Sequence, residues 1–282
     1  MTVRVVTDST SDLPHDLARS LDITIVSLNV HFGSEVFKDG VDLDADEFYR
    51  RLMSGGELPK TSQPSVGEFM ETYQGLGSDS DGIVSVHISS KLSGTYNAAV
   101  QAKGEVDVGG PIEVIDTYQA SMGVGMVAVS AAKAAREGAD LEEVTRVAGQ
   151  SVERSQCISL FDTLEYLQKG GRIGKARAVV GTVLGIKPLI SVRDGEVHEL
   201  GKERTRSRGI ARLEQVAREF APLEELSVMH STSPEDAQML ARNLSELLPE
   251  GKEPLIARYG PVIGTYAGPG ALGLGLLLAS TS

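Results

Sequence analysis

Short apolar runs that end in hydroxyl-rich turns, each followed by a stretch of helical spacing, recur along most of this chain, and no other feature restricts its fold as strongly. The sharpest unit joins the apolar run Gly82–Ile88 to the turn Ser89-Ser90-Lys91-Leu92-Ser93-Gly94-Thr95-Tyr96-Asn97 and then to the small-residue run Ala98–Lys103. The first part reads as a buried strand and the last as a helix. Such a junction sets hydroxyls and backbone amides at a helix start beyond the C-terminal end of a strand, where α/β sheets bind ligands and where a helix start favours an anion. From these residues alone two readings stay open: an anion seat, or plain structure in which Ser93 or Thr95 caps the helix and Ser89-Ser90 turns the chain.

The same rhythm orders the first half. Val3–Thr7 reads as a strand that breaks at Asp8-Ser9-Thr10-Ser11-Asp12-Leu13-Pro14, a cluster of capping residues with proline in the first turn of a helix to about Leu21. A strand over Ile23–Leu28, a small hairpin over Phe32–Gly40 and an amphipathic helix over Asp44–Met53 follow. Ser65 and Glu68 form a capping box for the next helix, which leaves Thr61 and Ser62 with no structural duty. Pro111–Ile115 supplies another strand, Ser121–Ala135 a closely packed Ala-, Gly- and Met-rich helix, and Asp140–Arg154 one more helix. Repeated alternation predicts a parallel sheet covered on both faces.

The second half reads differently. Cys157–Phe161 is a strand, Thr163–Lys169 a helix closed by Gly170-Gly171, and Asp194-Gly195 a hairpin turn between Lys187–Val192 and Glu196–Leu200. Helices over Ser207–Phe220 and Pro234–Leu248 alternate with strands over Leu226–His230 and Leu255–Arg258. The expected fold is therefore α/β, with two α/β domains: residues 1–154 around a mostly parallel sheet and residues 155–282 around a mixed or antiparallel one.

A length of 282 residues, 41% of them hydrophobic, suffices for two cores. The net charge of −12 argues against nucleic acid or an anionic membrane as the main partner. With Cys157 as its one cysteine the chain forms no internal disulfide, and the opening residues run straight into a strand. No run, the apolar tail near Leu274–Ala279 included, is long enough to span a bilayer. A soluble, cytoplasmic protein is expected.

Familiar chemical motifs fail on inspection. Gly268-Pro269-Gly270-Ala271-Leu272-Gly273 has the spacing of a dinucleotide fingerprint but no βαβ unit after it, and Gly171-Arg172-Ile173-Gly174-Lys175-Ala176 lacks the length and the hydroxyl of a phosphate loop. The five histidines form no metal or nucleophile motif and read as surface or packed residues. What remains is a set of hydroxyl and glycine clusters at strand ends: Asp8-Ser9-Thr10, Thr61-Ser62, Ser89 to Thr95, Asp116-Thr117 and Gly264-Thr265-Tyr266. Such groups suit a buried carboxylate or phosphate, whose oxygens all need hydrogen bonds. Arg172, Lys175 and Arg177 lie on a glycine-flanked turn as a solvated basic edge or an anion contact, whereas Arg204, Arg206 and Arg208 read as solvated.

Taken in order, Val6 to Pro14, Thr61-Ser62-Gln63-Pro64-Ser65, Ser89 to Thr95, Val114-Ile115-Asp116-Thr117, Leu164 to Ile173, Lys187-Pro188 and Gly264 to Gly270 closely resemble the DegV family of bacterial fatty-acid-binding proteins. The resemblance implies a two-domain α/β carrier, not an enzyme, that buries one long-chain fatty acid between its domains and needs no cofactor or metal. It implies that the hydroxyls of Thr61 and Ser62 hold the carboxylate together with Ser93 and the Gly94 amide, with Arg172, Thr265 and Tyr266 beside it. In members that serve a fatty acid kinase, a separate ATP-binding subunit converts the presented acid to an acyl phosphate. Those members commonly carry histidine where this chain has Tyr266; tyrosine can donate a hydrogen bond to a carboxylate but brings no positive charge. A hydrolase or transferase with the Ser93 region as nucleophile or phosphate site is the rival reading, and it lacks an identifiable base.

Overall fold

The computed structural model describes residues 2–179 and 185–280. Its elements are β1 (Val3–Asp8), α1 (His15–Ser20), β2 (Ile23–Val26), β3 (Asn29–Phe32), β4 (Glu35–Lys38), α2 (Ala45–Met53), β5 (Lys60–Ser62), α3 (Val66–Gly77), β6 (Gly82–His87), α4 (Thr95–Glu105), β7 (Ile112–Asp116), α5 (Met122–Arg136) and α6 (Leu141–Arg154). After these come β8 (Ser155–Leu160), α7 (Glu165–Lys169), β9 (Lys187–Arg193), β10 (Glu196–Glu203), α8 (Arg206–Phe220), β11 (Leu223–His230), α9 (Pro234–Leu244), β12 (Leu255–Arg258), α10 (Pro261–Ala267) and β13 (Leu272–Leu278).

The fold is α/β. The first sheet has the order β2-β1-β6-β7 with all pairs parallel. The second, β10-β9-β8-β13-β11-β12, is antiparallel except for its last pair, β11 with β12. A small antiparallel sheet, β4-β3-β5, brings Thr61 opposite Val30. The turn Asp194-Gly195 joins β9 to β10 with both residues at positive φ, the geometry that matches the twist of a hairpin. We propose a division of the chain into residues 1–154 and 155–282, where α6 ends and β8 begins.

Helix α5 is fully buried from Met122 to Val129 and packs against β1 and β6 of the first sheet and against β8 and β13 of the second. Its small residues let both sheets approach: a Cβ on Gly125 would sit 2.9 Å from the Ser11 carbonyl, and one on Gly123 3.2 Å from Cys157 Cβ. The apolar tail is β13, a central strand between β8 and β11, and its Gly275 lies directly beneath α5. A side chain there would meet Met122 Cβ at 2.6 Å.

Helix α10 starts at Gly260 and Pro261 without a capping side chain of its own. Two buried carboxylates from the first half stand at that end, and Asp12 supplies the cap. Asp12 Oδ1 accepts the Gly260 amide at 2.8 Å, and the Asp39 carboxylate stands beside it, with Oδ1 3.3 Å from where a Cβ on Gly260 would lie. Arg206, expected to be solvated, is instead partly buried: its guanidinium donates to Asp236 Oδ2 at 2.7 Å, to Ser233 Oγ at 3.0 Å and to the Gly270 carbonyl at 2.7 Å. It pins the Gly268–Gly270 turn, a tertiary task that local sequence does not reveal.

Gly275→Ala should destabilise the protein by about 1–3 kcal/mol in urea unfolding, because the clash is with helix atoms that have no room to move; an unchanged midpoint would contradict the packing. Burial pushes the Asp39 carboxyl up to about 7. The folded state therefore keeps a proton that the unfolded chain, with a carboxyl near pH ~3.9, releases. Its contribution is complete below about pH 4 and is lost as pH rises to about 7. The thermal midpoint of Asp39→Asn should gain on that of the parent across this window, and midpoints that move in parallel would refute the assignment.

Candidate functional site

Between the two large sheets and α10 lies a cavity. Most of its wall is aliphatic. Ile190 and Val192 project from alternate positions of β9, Cys157 and Ser159 from alternate positions of β8 with Phe161 just beyond, and Val262 and Ile263 from α10. Leu28, Ile88 and Leu92 close it from the first half.

One end is polar and open. Thr61, Arg172 and Tyr266 line both the cavity and an outer groove that also holds Lys60, Lys169 and Thr265, so these three side chains form the mouth. Thr61 Oγ1 and Tyr266 Oη are hydrogen-bonded at 2.5 Å. The Arg172 guanidinium stands over the Tyr266 ring, 5.2 Å from its centroid, and donates to the carbonyls of Leu92 at 3.2 Å and Gly170 at 2.9 Å. Gly170 backs the ring so closely that a Cβ would come 2.5 Å from Tyr266 Cδ1. Among the described residues no carboxylate lies within ion-pair distance of Arg172, which leaves its charge for a ligand. Ser93 joins the wall beside Leu92; its Oγ bonds Thr95 Oγ1 at 2.8 Å and accepts the Thr95 amide at 3.3 Å. The cap position of α4 is Gly94, and no side chain caps it.

Of the residues expected at a carboxylate, the structure brings Thr61, Ser93, Arg172 and Tyr266 to one cavity. Ser62, Gly94 and Thr265 are not on its wall. Ser62 alternates with Thr61 along β5 and faces outward, its hydroxyl bonding His31 Nε2 at 2.9 Å. Thr265 donates to the Pro261 carbonyl at 2.9 Å within α10. A Cβ on Gly94 would collide with the Gln63 amide, so glycine there lets the segment after Thr61 rest on the loop that carries Ser93. The cluster Gly264-Thr265-Tyr266 belongs to a helix and not to a strand end.

Thr10, Ser121, Ser159 and Tyr259 also line the cavity. Only Thr10 lay within a cluster singled out in the sequence; the others are scattered, and the alternation of β8 was the signal available for Ser159. The histidine reading gains a detail. His87 is fully buried, with Nδ1 2.9 Å from Asp8 Oδ2 and Nε2 2.7 Å from Ser85 Oγ, which in turn accepts the Tyr73 hydroxyl at 2.9 Å. Asp8 and His87 end adjacent parallel strands, and their pairing ties β1 to β6 inside the core. Among the described residues no three His, Cys, Asp or Glu side chains cluster as a metal cage, and no helix is long and apolar enough to cross a membrane.

Comparison with known proteins gives a consistent picture. The family model described as "Uncharacterised protein, DegV family" matches residues 2–279. A DegV domain-containing protein of Clostridium perfringens is 36% identical over 280 residues, covering 97% of this chain and 98% of its own. The fold is similar to that of a fatty-acid-binding DegV family protein from Thermus thermophilus, with a TM-score of 0.90, 32% identity and coverage of 98% and 99% of the two chains. It is also similar to a stearic-acid-binding protein from Eubacterium ventriosum, with a TM-score of 0.89, 27% identity and coverage of 98% of each chain.

Burial pushes the Cys157 thiol, on the cavity wall, up to about 12. At mildly alkaline pH the folded protein should therefore react with iodoacetamide at least about 100-fold more slowly than the urea-unfolded chain. Equal rates would mean that the cavity stands open to solvent.

Proposed function

The chain belongs to the DegV family, and on its own geometry we propose that it is a carrier that buries one long-chain fatty acid. The observation that carries this reading is an aliphatic cavity at whose mouth stand hydroxyls and an arginine that, among the described residues, has no carboxylate partner. Thr61, Ser93 and Tyr266 would donate hydrogen bonds to the carboxylate, and Arg172 would supply the opposite charge. Gly94, Ser62 and Thr265 would act behind them: Gly94 lets Gln63 hold the two hydroxyl-bearing segments together, Ser62 fixes β5 to His31, and Thr265 sets the turn of α10 that precedes Tyr266.

The chain would lie along the strands, where each buried methylene contributes about 0.8 kcal/mol. Length thus dominates affinity, while the polar ring sets direction. With the carboxylate at the mouth, near the groove that holds Lys60 and Lys169, the ligand would be within reach of a separate ATP-binding kinase subunit. A carboxylate oxygen would attack the γ-phosphorus of ATP held by that subunit, and ADP would leave with the formation of an acyl phosphate. We place this work in the cytoplasm, where a buried free thiol is under no pressure to oxidise.

Nothing favours the rival hydrolase. Ser93 Oγ bonds to Thr95, and His87 is engaged with Asp8 and Ser85 inside the core.

Denaturing solvent extraction of gently purified protein, followed by mass spectrometry, should release a long-chain fatty acid in stoichiometric amount. Thr61→Val combined with Ser93→Ala should weaken binding at least about 100-fold, since each hydrogen bond to a charged group contributes about 1.5–3 kcal/mol. A well-folded preparation that holds no lipid and takes up none would refute the carrier, and an unchanged affinity in the double variant would refute the seat.

A further inference from the structure

We propose that the cavity accepts a fatty acid whose chain carries a hydroxyl group well beyond the carboxyl end, recognised by Ser159 and Tyr259; the inference rests on the fatty-acid reading above. An unmodified chain calls for a dry aliphatic wall, yet four buried hydroxyls face this cavity: those of Thr10, Ser121, Ser159 and Tyr259. Two are committed elsewhere. Thr10 donates to Asp8, and Ser121 donates to Asp12 Oδ2 at 2.5 Å.

Ser159 Oγ and Tyr259 Oη lie 2.7 Å apart, and among the described residues the one other side chain that reaches either hydroxyl is the Cys157 thiol, beside Ser159. Two hydroxyls carry two protons, and one bond uses one of them. The second O–H has only the weak sulfur acceptor of Cys157, and free oxygen lone pairs are left at the cavity wall, in side chains that are 5% and 1% exposed. A buried hydroxyl without a partner is unfavourable. A hydroxyl on the ligand would answer both needs, accepting the spare proton and donating its own to a free lone pair.

The pair is built into the sheet. Ser159 stands on β8, Tyr259 directly follows β12, and both lie over Gly273 of β13, where a Cβ would collide with Tyr259 Oη and approach Ser159 Oγ to 2.8 Å. Glycine at 273 is the condition for the two hydroxyls to meet. Neither residue lines the outer groove at the mouth. The oxygen they would recognise therefore belongs to the middle or far part of the chain and not to the carbon next to the carboxylate.

The test uses the delipidated full chain, stearate, and a set of hydroxystearates in which the hydroxyl is walked from the second carbon to the last. At least one isomer hydroxylated far from the carboxylate should bind within about threefold of stearate, where a dry tunnel would reject it roughly five- to 150-fold. In Tyr259→Phe combined with Ser159→Ala, which removes both partners and leaves neither orphaned, the affinity of that isomer relative to stearate should fall about tenfold. Rejection of every isomer by the parent protein overturns the inference without recourse to any variant, as does an unchanged ratio in the double variant. Stearate bound and all isomers refused defeats this inference alone; neither stearate nor any isomer bound defeats the fatty-acid reading with it.

Discussion

Two sheets share one helix. Helix α5 is packed by β1 and β6 on one side and by β8 and β13 on the other, so from Met122 to Val129 it has no solvent face to spare. A helix in that position must be narrow, and its run of Gly123, Val124, Gly125, Met126, Val127 and Ala128 makes it so. The glycines decide how near each sheet comes: Gly123 faces Cys157 of one, Gly125 faces the Ser11 carbonyl of the loop after β1, and Gly275 of β13 answers from below. Because α5 sets this approach, it also sets where Cys157, Ser121 and Thr10 stand on the cavity wall.

The second joint is α10. Its amino end is capped by Asp12, with Asp39 beside it, carboxylates from the other half of the chain, and its last turn bears Tyr266, bonded to Thr61 of the small sheet. The helix therefore spans from a buried acidic cap to the cavity mouth, with Val262 and Ile263 along the wall between. Three chain segments far apart in sequence meet at Tyr266: β5 through Thr61, the glycine turn after α7 through Gly170 and Arg172, and α10 itself. A change of angle in α10 would alter wall and mouth together.

Much of this was legible beforehand where the signal is local. The Asp194-Gly195 hairpin, the capping box at Ser65 and Glu68 and the alternation that makes the first sheet parallel are rules of short range, and the structure follows them. Thr61 was marked out because no local role used it, and it stands at the mouth; its neighbour Ser62, marked for the same reason, points the other way because side chains alternate along a strand. Arg206 looked like a solvated cation and is instead the clamp of a distant glycine turn. The tail at Leu274 offered only apolar content, which does not distinguish a central strand from a mere greasy end.

The sequence by itself determined the α/β class, the parallel and mixed character of the two sheets, and a short list of hydroxyl-bearing turns, since strand alternation, turn chemistry and helix caps act between residues a few positions apart. Only the tertiary structure decided which of those hydroxyls share a cavity, that Arg172 stacks on Tyr266, that Asp12 caps a helix 248 residues later, and that Ser159 and Tyr259 meet over Gly273. Those facts depend on burial and close approach between segments with no local signal in common, and packing density alone brings them within a hydrogen bond of each other.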